Sequence, residues 1–281
     1  CGPAVLSAIM ATASLGLTGV TLATDSAQVK LAYSVAASCA MIVAGFRLLP
    51  ETMARCNLYM FLASASYLSL PGALDYFYTA PEACVPGGPH FDMTYYIMWS
   101  SIAGGLAALG GITLFQTCMQ DWRLRPLFWF PTVLRCSAAA VDLVILMRWN
   151  VDAGVSDKLT FMLGNNIVGA AVTQLDRMPA VILTSRLCPQ GSEAIAYALM
   201  AGFQNFGGAV SSAVGSALTT AFGVEADLET NECHFENLPL LVVVSHVLLP
   251  VLVVPLTFIL IPDVRLADPL RRREDHHDAL E

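Results

Sequence analysis

The stretch LPLLVVVSHVLLPVLVVPLTFILI, from Leu238 to Ile261, runs 24 residues without an Asp, Glu, Lys or Arg. A helix needs about 20 mostly apolar residues to cross the hydrocarbon core of a bilayer. The segment therefore reads as a membrane span, and the rest of the chain repeats it. Stretches of the same kind lie at about 4–23, 31–49, 57–78, 94–118, 126–147, 159–185 and 192–222. The expected fold is all-α, a polytopic transmembrane helical bundle of about eight spans. Several stretches exceed 20 residues, which implies tilt or kinks, with Pro179, Pro250 and Pro255 as the kink sites. Transmembrane β-strands would show segments of about 10 residues with alternating polarity, and none occurs here.

Composition agrees with this reading. Of 281 residues, 56% are hydrophobic and 13% charged, with a net charge of −8. Ten of the charged residues fall between Pro262 and Glu281, which leaves 26 for the first 261 positions. A soluble domain carries about 25% charged residues. A soluble globular enzyme and a disordered chain are thereby excluded, and the acidic balance excludes a nucleic-acid partner. The partner that composition does imply is the lipid bilayer.

Loop charges set the orientation. With a cytoplasmic C-terminus, the inner side holds Arg47, Arg55, Arg123, Arg125, Arg186, Arg265, Arg271, Arg272 and Arg273, and the outer side Lys30, Arg148 and Lys158. Nine against three obeys the positive-inside rule. An even number of spans then puts the start of the first one on the cytoplasmic side too. The chain opens at Cys1, without a Met or a charged n-region, and so looks like a C-terminal fragment of a longer protein rather than one led by a signal peptide.

Among the eight cysteines, Cys39, Cys118 and Cys136 fall in or at the ends of spans, and Cys56 and Cys188 at cytoplasmic edges. Only Cys84 and Cys233 fall in the expected outer loops, where a disulfide can persist. Bonded, they would tie the loop after the third span to the loop after the seventh; the alternative is two free thiols. No pair has zinc-ligand spacing, and no metal or other cofactor is implied. There is no G-x-x-x-x-G-K, H-E-x-x-H or G-x-S-x-G, so the chain reads as a carrier rather than an enzyme.

Ionisable groups inside spans are expensive and mark functional sites by default. Asp75 lies near the outer end of the third span, Arg135 and Asp142 in the fifth, and Asp176 and Arg177 in the sixth. Arg135 and Asp142 stand two turns apart on one face, too far to pair with each other, so each should find a partner on another helix. In the sixth span Asn166, Thr173 and Arg177 share a face, with Asn165, Gly169 and Asp176 on the neighbouring one. Such a stripe faces a packed interior or a water-filled cavity, either as interhelical charge pairs or as the lining of a pathway. In the seventh span Gly202, Gly208, Ser211, Ser212 and Gly215 recur at helical spacing, as do Gly104, Gly105, Gly110 and Gly111 in the fourth. Small residues let helix backbones approach closely. The amides of Gln204 and Asn205 need partners, and a substrate with hydrogen-bonding edges is one.

The segment SRLCPQGSE, Ser185 to Glu193, continues through Tyr197-Ala198-Leu199 and Gly202 to Asn205. It resembles the signature of the folate–biopterin transporter family of the major facilitator superfamily: R-L-C-P-x-G-x-E, then Y-A, then a Gly and an Asn. Arg186, Cys188, Pro189, Gly191, Glu193 and Tyr197 carry the match. The segment PGALDYFYT, Pro71 to Thr79, resembles the family's P-S-x-x-D…F-Y-F-Y-T, departing by Gly72 for Ser and by a shorter gap after Asp75. The likeness covers roughly residues 54–265 and is nearest the protozoan pteridine and folate carriers. Physically, Pro189 and Gly191 suit a tight reversal, and Glu193 suits a helix N-terminus within reach of Arg186. The motif therefore reads as structural and gating rather than as a substrate contact.

The resemblance implies two six-helix bundles with substrate held between them at the midplane. Residues 1–50 would then be the last two helices of an N-terminal bundle, 51–265 the C-terminal six-helix bundle, with Pro50–Cys56 as a short linker, and 266–281 a cytoplasmic charged tail. It also implies a secondary-active transporter of pterins or folates working by alternating access in the plasma membrane, with coupling protons as a further partner. Asp142 and Asp176 are the residues for a coupling proton, Asp176 and Asn205 for the ring edge, and Arg135 or Arg177 for a negative end. A non-transporting receptor-like or scaffold subunit, or a carrier of another small metabolite, stays open at this point. The orientation is testable: a tag placed after Glu281 should be invisible to antibody on intact cells and labelled only after permeabilisation, and labelling of intact cells would reverse the map.

Overall fold

A computed structural model of the chain describes residues 2–24, 26–70, 72–187, 193–227 and 232–265. Among the described residues the principal helices are, in chain order, α1 Gly2–Ala23, α2 Ala27–Leu48, α3 Glu51–Ser66, α4 Ala73–Thr79, α5 Thr94–Met119, α6 Leu124–Leu146, α7 over 157–187, α8 Glu193–Ala221 and α9 Leu238–Leu260, with a single helical turn, Trp149–Asp152, between α6 and α7. Among the described residues, α1, α2, α5, α6 and α9 are long and apolar enough to cross a membrane. The only regular strands there are β1 Glu225–Asp227 and β2 Glu232–His234, an antiparallel hairpin with Ala226 opposite Cys233. The fold is a polytopic helical membrane bundle. Its outer shell is apolar, with Leu15, Leu106 and Ile259 each about two-thirds exposed or more, as a lipid-facing surface requires.

The third span departs from expectation. The stretch 57–78 was expected as one helix, but the chain leaves the helix after Ser66 and re-enters it at Ala73, with Gly72 in a left-handed conformation at φ 82°. Pro71 explains part of this, because the residue before a proline is pushed away from α geometry. The Pro50–Cys56 stretch, expected as a linker, is the first turn and a half of α3. Pro50 sits at its N-cap, and Glu51 pairs with Arg55 one turn on.

Two apolar cores flank the break. One gathers Met53, Cys56, Tyr59, Leu127, Leu183 and Phe203, and contains the buried face of α3. The other gathers Phe77, Tyr78, Phe91, Phe161 and Leu241, and contains that of α4. Helix α8 packs along α3 through Gly207 and against the break beyond it through Gly215. A Cβ at Gly207 would stand 2.6 Å from the Phe61 carbonyl oxygen, and one at Gly215 would stand 1.8 Å from that of Ser69. Gly208, by contrast, meets nothing within 4 Å. The close-packing face thus runs through Gly207, Ser211 and Gly215, and Gly208 opens away from it.

Each end of the bundle is tied. At one end Cys84 and Cys233 are bonded, with Cα atoms 5.4 Å apart. There the Tyr95 hydroxyl donates to the Lys158 carbonyl at 2.6 Å, and Arg148 makes a two-pronged pair with Asp157 at 2.9 Å. The Gly87 N–H donates to Glu82 at 2.9 Å; with His90 beside it, this holds the Glu82 carboxyl below its ordinary range. At the other end Arg123 pairs with Asp263 at 3.1 Å, and Arg125 Nε donates to the Ile261 carbonyl at 3.0 Å.

Two outcomes follow. In the full-length protein a thiol-blocking reagent should miss Cys84 and Cys233 until a reductant is added; reaction without reductant would refute the bond. Gly215→Ala should lower thermal stability in detergent, by about 1–3 kcal/mol if the helices must separate. Gly208→Ala should leave it unchanged or raise it slightly through helix propensity. Equal melting temperatures for the two variants would contradict the packing.

Candidate functional site

The break at residues 67–70 frees backbone groups in the middle of an apolar bundle, and three side chains or backbone atoms from other helices receive them. Ser211 on α8 accepts from the Ser69 N–H at 2.8 Å and donates to the Tyr67 carbonyl at 2.8 Å. The Ser245 carbonyl on α9 accepts from the Leu68 N–H at 3.3 Å. His246 Nε2 lies 2.9 Å from the Leu68 carbonyl oxygen. Ser245 and His246 sit in a widened, π-helical turn of α9, Val243–Leu248. Such turns interrupt the regular ladder and recur at functional sites.

Tyr67, the first residue of the break, is covered on both sides. The Arg135 guanidinium carbon lies 3.6 Å from its ring centroid, and the His246 ring lies parallel to it at 4.4 Å. Two groups so close to one centroid cannot share a face, so the phenol is held between a cation and an imidazole. Arg135 in turn pairs with Asp176 on α7 at 3.2 Å. Asp142 accepts from the Tyr78 hydroxyl of α4 at 2.6 Å. Both charges on α6 therefore find partners on other helices.

Two cavities adjoin this cluster. One, of about 520 Å³, is lined by residues that include Tyr67, Ser69, Arg135, Asp176, Arg177, Gln204, Gly208, Ser211 and His246. The other, of about 530 Å³, is lined by Asp142, Asn166, Gly169, Ser100 and Ser101 among others. Tyr67, Arg135 and Thr173 line both, so they form the partition. Sites for small molecules have volumes of about 300–1,000 Å³. Together these walls offer two carboxylates, two guanidinium groups, two amides and hydroxyls, which suits a polar molecule and not a lipid tail.

The residues read from the sequence divide accordingly. Arg135, Asp142, Asp176, Arg177 and Gln204 line the paired cavities. Asn205 does not: it faces a separate groove of about 710 Å³ between α1 and α8, with Ser7, Met10, Ser212 and Lys30. Asp176 and Asn205 are thus not brought to one ring edge, because adjacent helical positions point about 100° apart. Asp75 lies exposed at the end of the bundle that carries the disulfide, where it accepts from the Tyr96 hydroxyl. Arg186 lies exposed in the last turn of α7 and Tyr197 is half-exposed on α8. Cys188, Pro189 and Gly191 lie outside the described residues, and Glu193 opens α8. Sequence reading missed Tyr67, Ser211 as a partner of the break, and His246. A lone imidazole in the Leu238–Ile261 run was the available signal for the last.

The profile of the BT1 family matches residues 9–279. A probable folate-biopterin transporter 6 of Arabidopsis thaliana is 28% identical over 192 residues, 68% of this chain and 36% of the relative. A folate-biopterin transporter of Synechocystis sp. (strain ATCC 27184 / PCC 6803 / Kazusa) is 33% identical over 141 residues, 50% of this chain and 27% of the relative. Folate transporter 2 of Plasmodium falciparum (isolate 3D7) is 23% identical over 166 residues, 54% of this chain and 35% of the relative. The chain spans between about a quarter and two-fifths of the length of these curated relatives. No solved structure matches it. With its profile match running almost from end to end, the chain belongs to the BT1 family of polytopic helical membrane proteins, whose relatives are transporters and not enzymes.

Proposed function

We propose that the full-length protein is a secondary-active carrier of pteridines or folates. The observation that carries this reading is the pair of polar cavities set inside an apolar bundle around Arg135, Tyr67 and Asp176, in a chain whose relatives are named as folate-biopterin transporters. A pterin ring is flat and edged with donors and acceptors, and folates add carboxylates. Gln204, Asp176 and the hydroxyls of the cavity wall match the ring edge. Arg177, exposed at the cavity and not held in the Arg135–Asp176 pair, matches a carboxylate.

The carrier works by alternating access between two bundles, with residues 51–265 forming one and residues 1–50 belonging to the other. It is coupled to protons through Asp142 or Asp176, the carboxyls set among the helices beside the two cavities. Its C-terminus is cytoplasmic and its site of action the plasma membrane. The ties between Arg123, Arg125 and the chain near Asp263 keep the start of the tail on the side of the loop between α5 and α6, in keeping with the basic residues gathered there.

The test is uptake of labelled pterin and folate by cells expressing the full-length protein. Arg177→Ala should raise the KM for an anionic folate about tenfold, the worth of one charge-assisted hydrogen bond, and change that for a neutral pterin much less. Asp176→Asn should abolish uptake or its pH dependence while the protein still reaches the membrane. Normal, pH-dependent uptake by both variants would remove these residues from the site. No uptake by the unmodified protein would favour a non-transporting role.

A further inference from the structure

We propose that the two carboxyls inside the bundle divide the work of coupling. Asp142 takes up and releases the transported proton, with Tyr78 as its positioning residue, while Asp176 stays ionised as the counter-ion of Arg135. The inference rests on the carrier reading and decides between the two residues that reading leaves side by side.

Asp176 is tied to a charge that cannot leave. Its Oδ2 lies 3.2 Å from Arg135 Nη1, and a guanidinium keeps its proton in a protein. The same guanidinium stands over the Tyr67 ring at 3.6 Å, on the partition between the two cavities. A proton on Asp176 would remove the anion and leave the cation inside the bundle. Losing one member of an interior pair is far less favourable than losing both.

Asp142 is held by a partner that suits both of its states. It is 4% exposed, and its Oδ1 accepts from the Tyr78 hydroxyl at 2.6 Å. An ionised carboxylate accepts through either oxygen, and a protonated one keeps a carbonyl oxygen that still accepts. The bond to Tyr78 therefore persists when the proton arrives, and the phenol that makes it is neutral throughout. Tyr78 is buried against the rings of Phe161 at 4.9 Å and Phe91 at 5.8 Å, so its hydroxyl stays at the carboxyl while the proton comes and goes. The way in is the cavity of about 530 Å³, which Asp142 lines with Ser100, Ser101 and Asn166. A space that polar and that large admits water. Uptake forms one O–H bond on the carboxylate and breaks one in a hydronium ion, which becomes water; release reverses the exchange.

The neighbours of Asp142 assign the proton to the carboxyl. Three phenols lie within electrostatic reach of it: Tyr78 on α4, Tyr67 in the break and Tyr96 on α5. The Tyr96 hydroxyl is turned to Asp75, to which it donates. On α6 itself Arg135 stands two turns away and is held by Asp176. Past the other end of α6, Arg148 pairs with Asp157 of α7 at 2.9 Å. His246 of α9 lines the other cavity. Phenols and guanidinium groups hold their protons at neutral pH, so the exchangeable proton on this side of the partition belongs to Asp142.

The experiment uses proteoliposomes of the full-length protein and labelled pterin. It reads accumulation driven by an inward proton gradient and counterflow, the exchange of labelled for unlabelled pterin without a gradient. In the wild type one coupling proton should raise the accumulation ratio about tenfold per unit of pH difference. Asp142→Asn keeps an oxygen for the Tyr78 hydroxyl and cannot titrate. Its accumulation, normalised to its counterflow, should no longer respond to the gradient. Asp176→Asn should lose counterflow and accumulation together. Tyr78→Phe keeps the ring and the carboxyl but removes the donor, and should displace the midpoint of the pH profile of uptake by about one unit. A residue that only supports the fold would lower uptake alike at every pH.

A gradient response retained by Asp142→Asn overturns the proposal. So does Asp176→Asn that still exchanges pterin and loses only the gradient response, which would place the proton on Asp176. If Asp142→Asn does not insert, Tyr78→Phe decides: a profile lowered but not displaced overturns the assignment. Wild-type accumulation that ignores the gradient overturns it too and leaves the carrier reading standing. Neither accumulation nor counterflow by the wild type removes both.

Discussion

In lipid no solvent is available to backbone N–H and C=O groups, so a helix can stop in mid-bundle only where protein atoms replace its hydrogen bonds. The interruption between Ser66 and Ala73 satisfies that condition through two helices at once. Helix α8 offers Ser211, which both accepts and donates at the break, and α9 offers the Ser245 carbonyl and the His246 ring. Each of these depends on further local structure. Ser211 reaches the break because Gly207 and Gly215, one turn to either side, let α8 lie against the backbone of α3 and of the break itself. Ser245 has a carbonyl to spare because α9 widens into a π-helical turn there. The glycine face of α8, the irregularity of α9 and the break in the third span are therefore one arrangement.

The charges obey the same constraint. Leaving a charge unpaired in such an interior costs several kcal/mol, and removing one member of a buried pair costs roughly 3–5 kcal/mol. Arg135 is held by Asp176 and lies over Tyr67, and Asp142 is held by Tyr78. Of the two partners on the third span, Tyr67 opens the break and Tyr78 lies beyond it on α4. The two polar residues of α6 thus fix the two halves of that span separately. With side chains about 30% exposed, the Arg135–Asp176 pair is open to the cavities rather than sealed, which is the arrangement that leaves polar groups available to a ligand.

Much of this was legible in the sequence. Spans are set by apolar length, so five of the eight expected stretches, the first, second, fourth, fifth and eighth, match helices long and apolar enough to cross a membrane, with bounds within three residues. The need of Arg135 and Asp142 for partners on other helices followed from their seven-residue spacing. What was not legible has physical reasons. Pro71 and Gly72 announce an interruption, but the residues that unwind include Tyr67, Leu68 and Ser69, whose own propensities favour no break; their partners stand about 140 and 180 positions away in sequence. Gln204 and Asn205 carry the same chemistry, and only the rotation of α8 against its neighbours sends one to the cavity and the other to the groove beside α1. His246 was visible as the one imidazole in an apolar run, but its role depends on a π-helical turn that no local pattern specifies.

The shared use of Tyr67, Ser211 and His246 constrains how the cavity can work. These side chains line it while also completing the backbone of the broken span. A ligand that took Nε2 of His246 or the hydroxyl of Ser211 for itself would strand a carbonyl or an N–H, and the loss would offset what the new contact contributes. The polar side chains of the cavity wall that the break does not use include the amide of Gln204 and the guanidinium of Arg177. The break thus does more than shape the cavity. By occupying Ser211 and Nε2 of His246 it withdraws those groups from the cavity and holds their side chains at fixed angles.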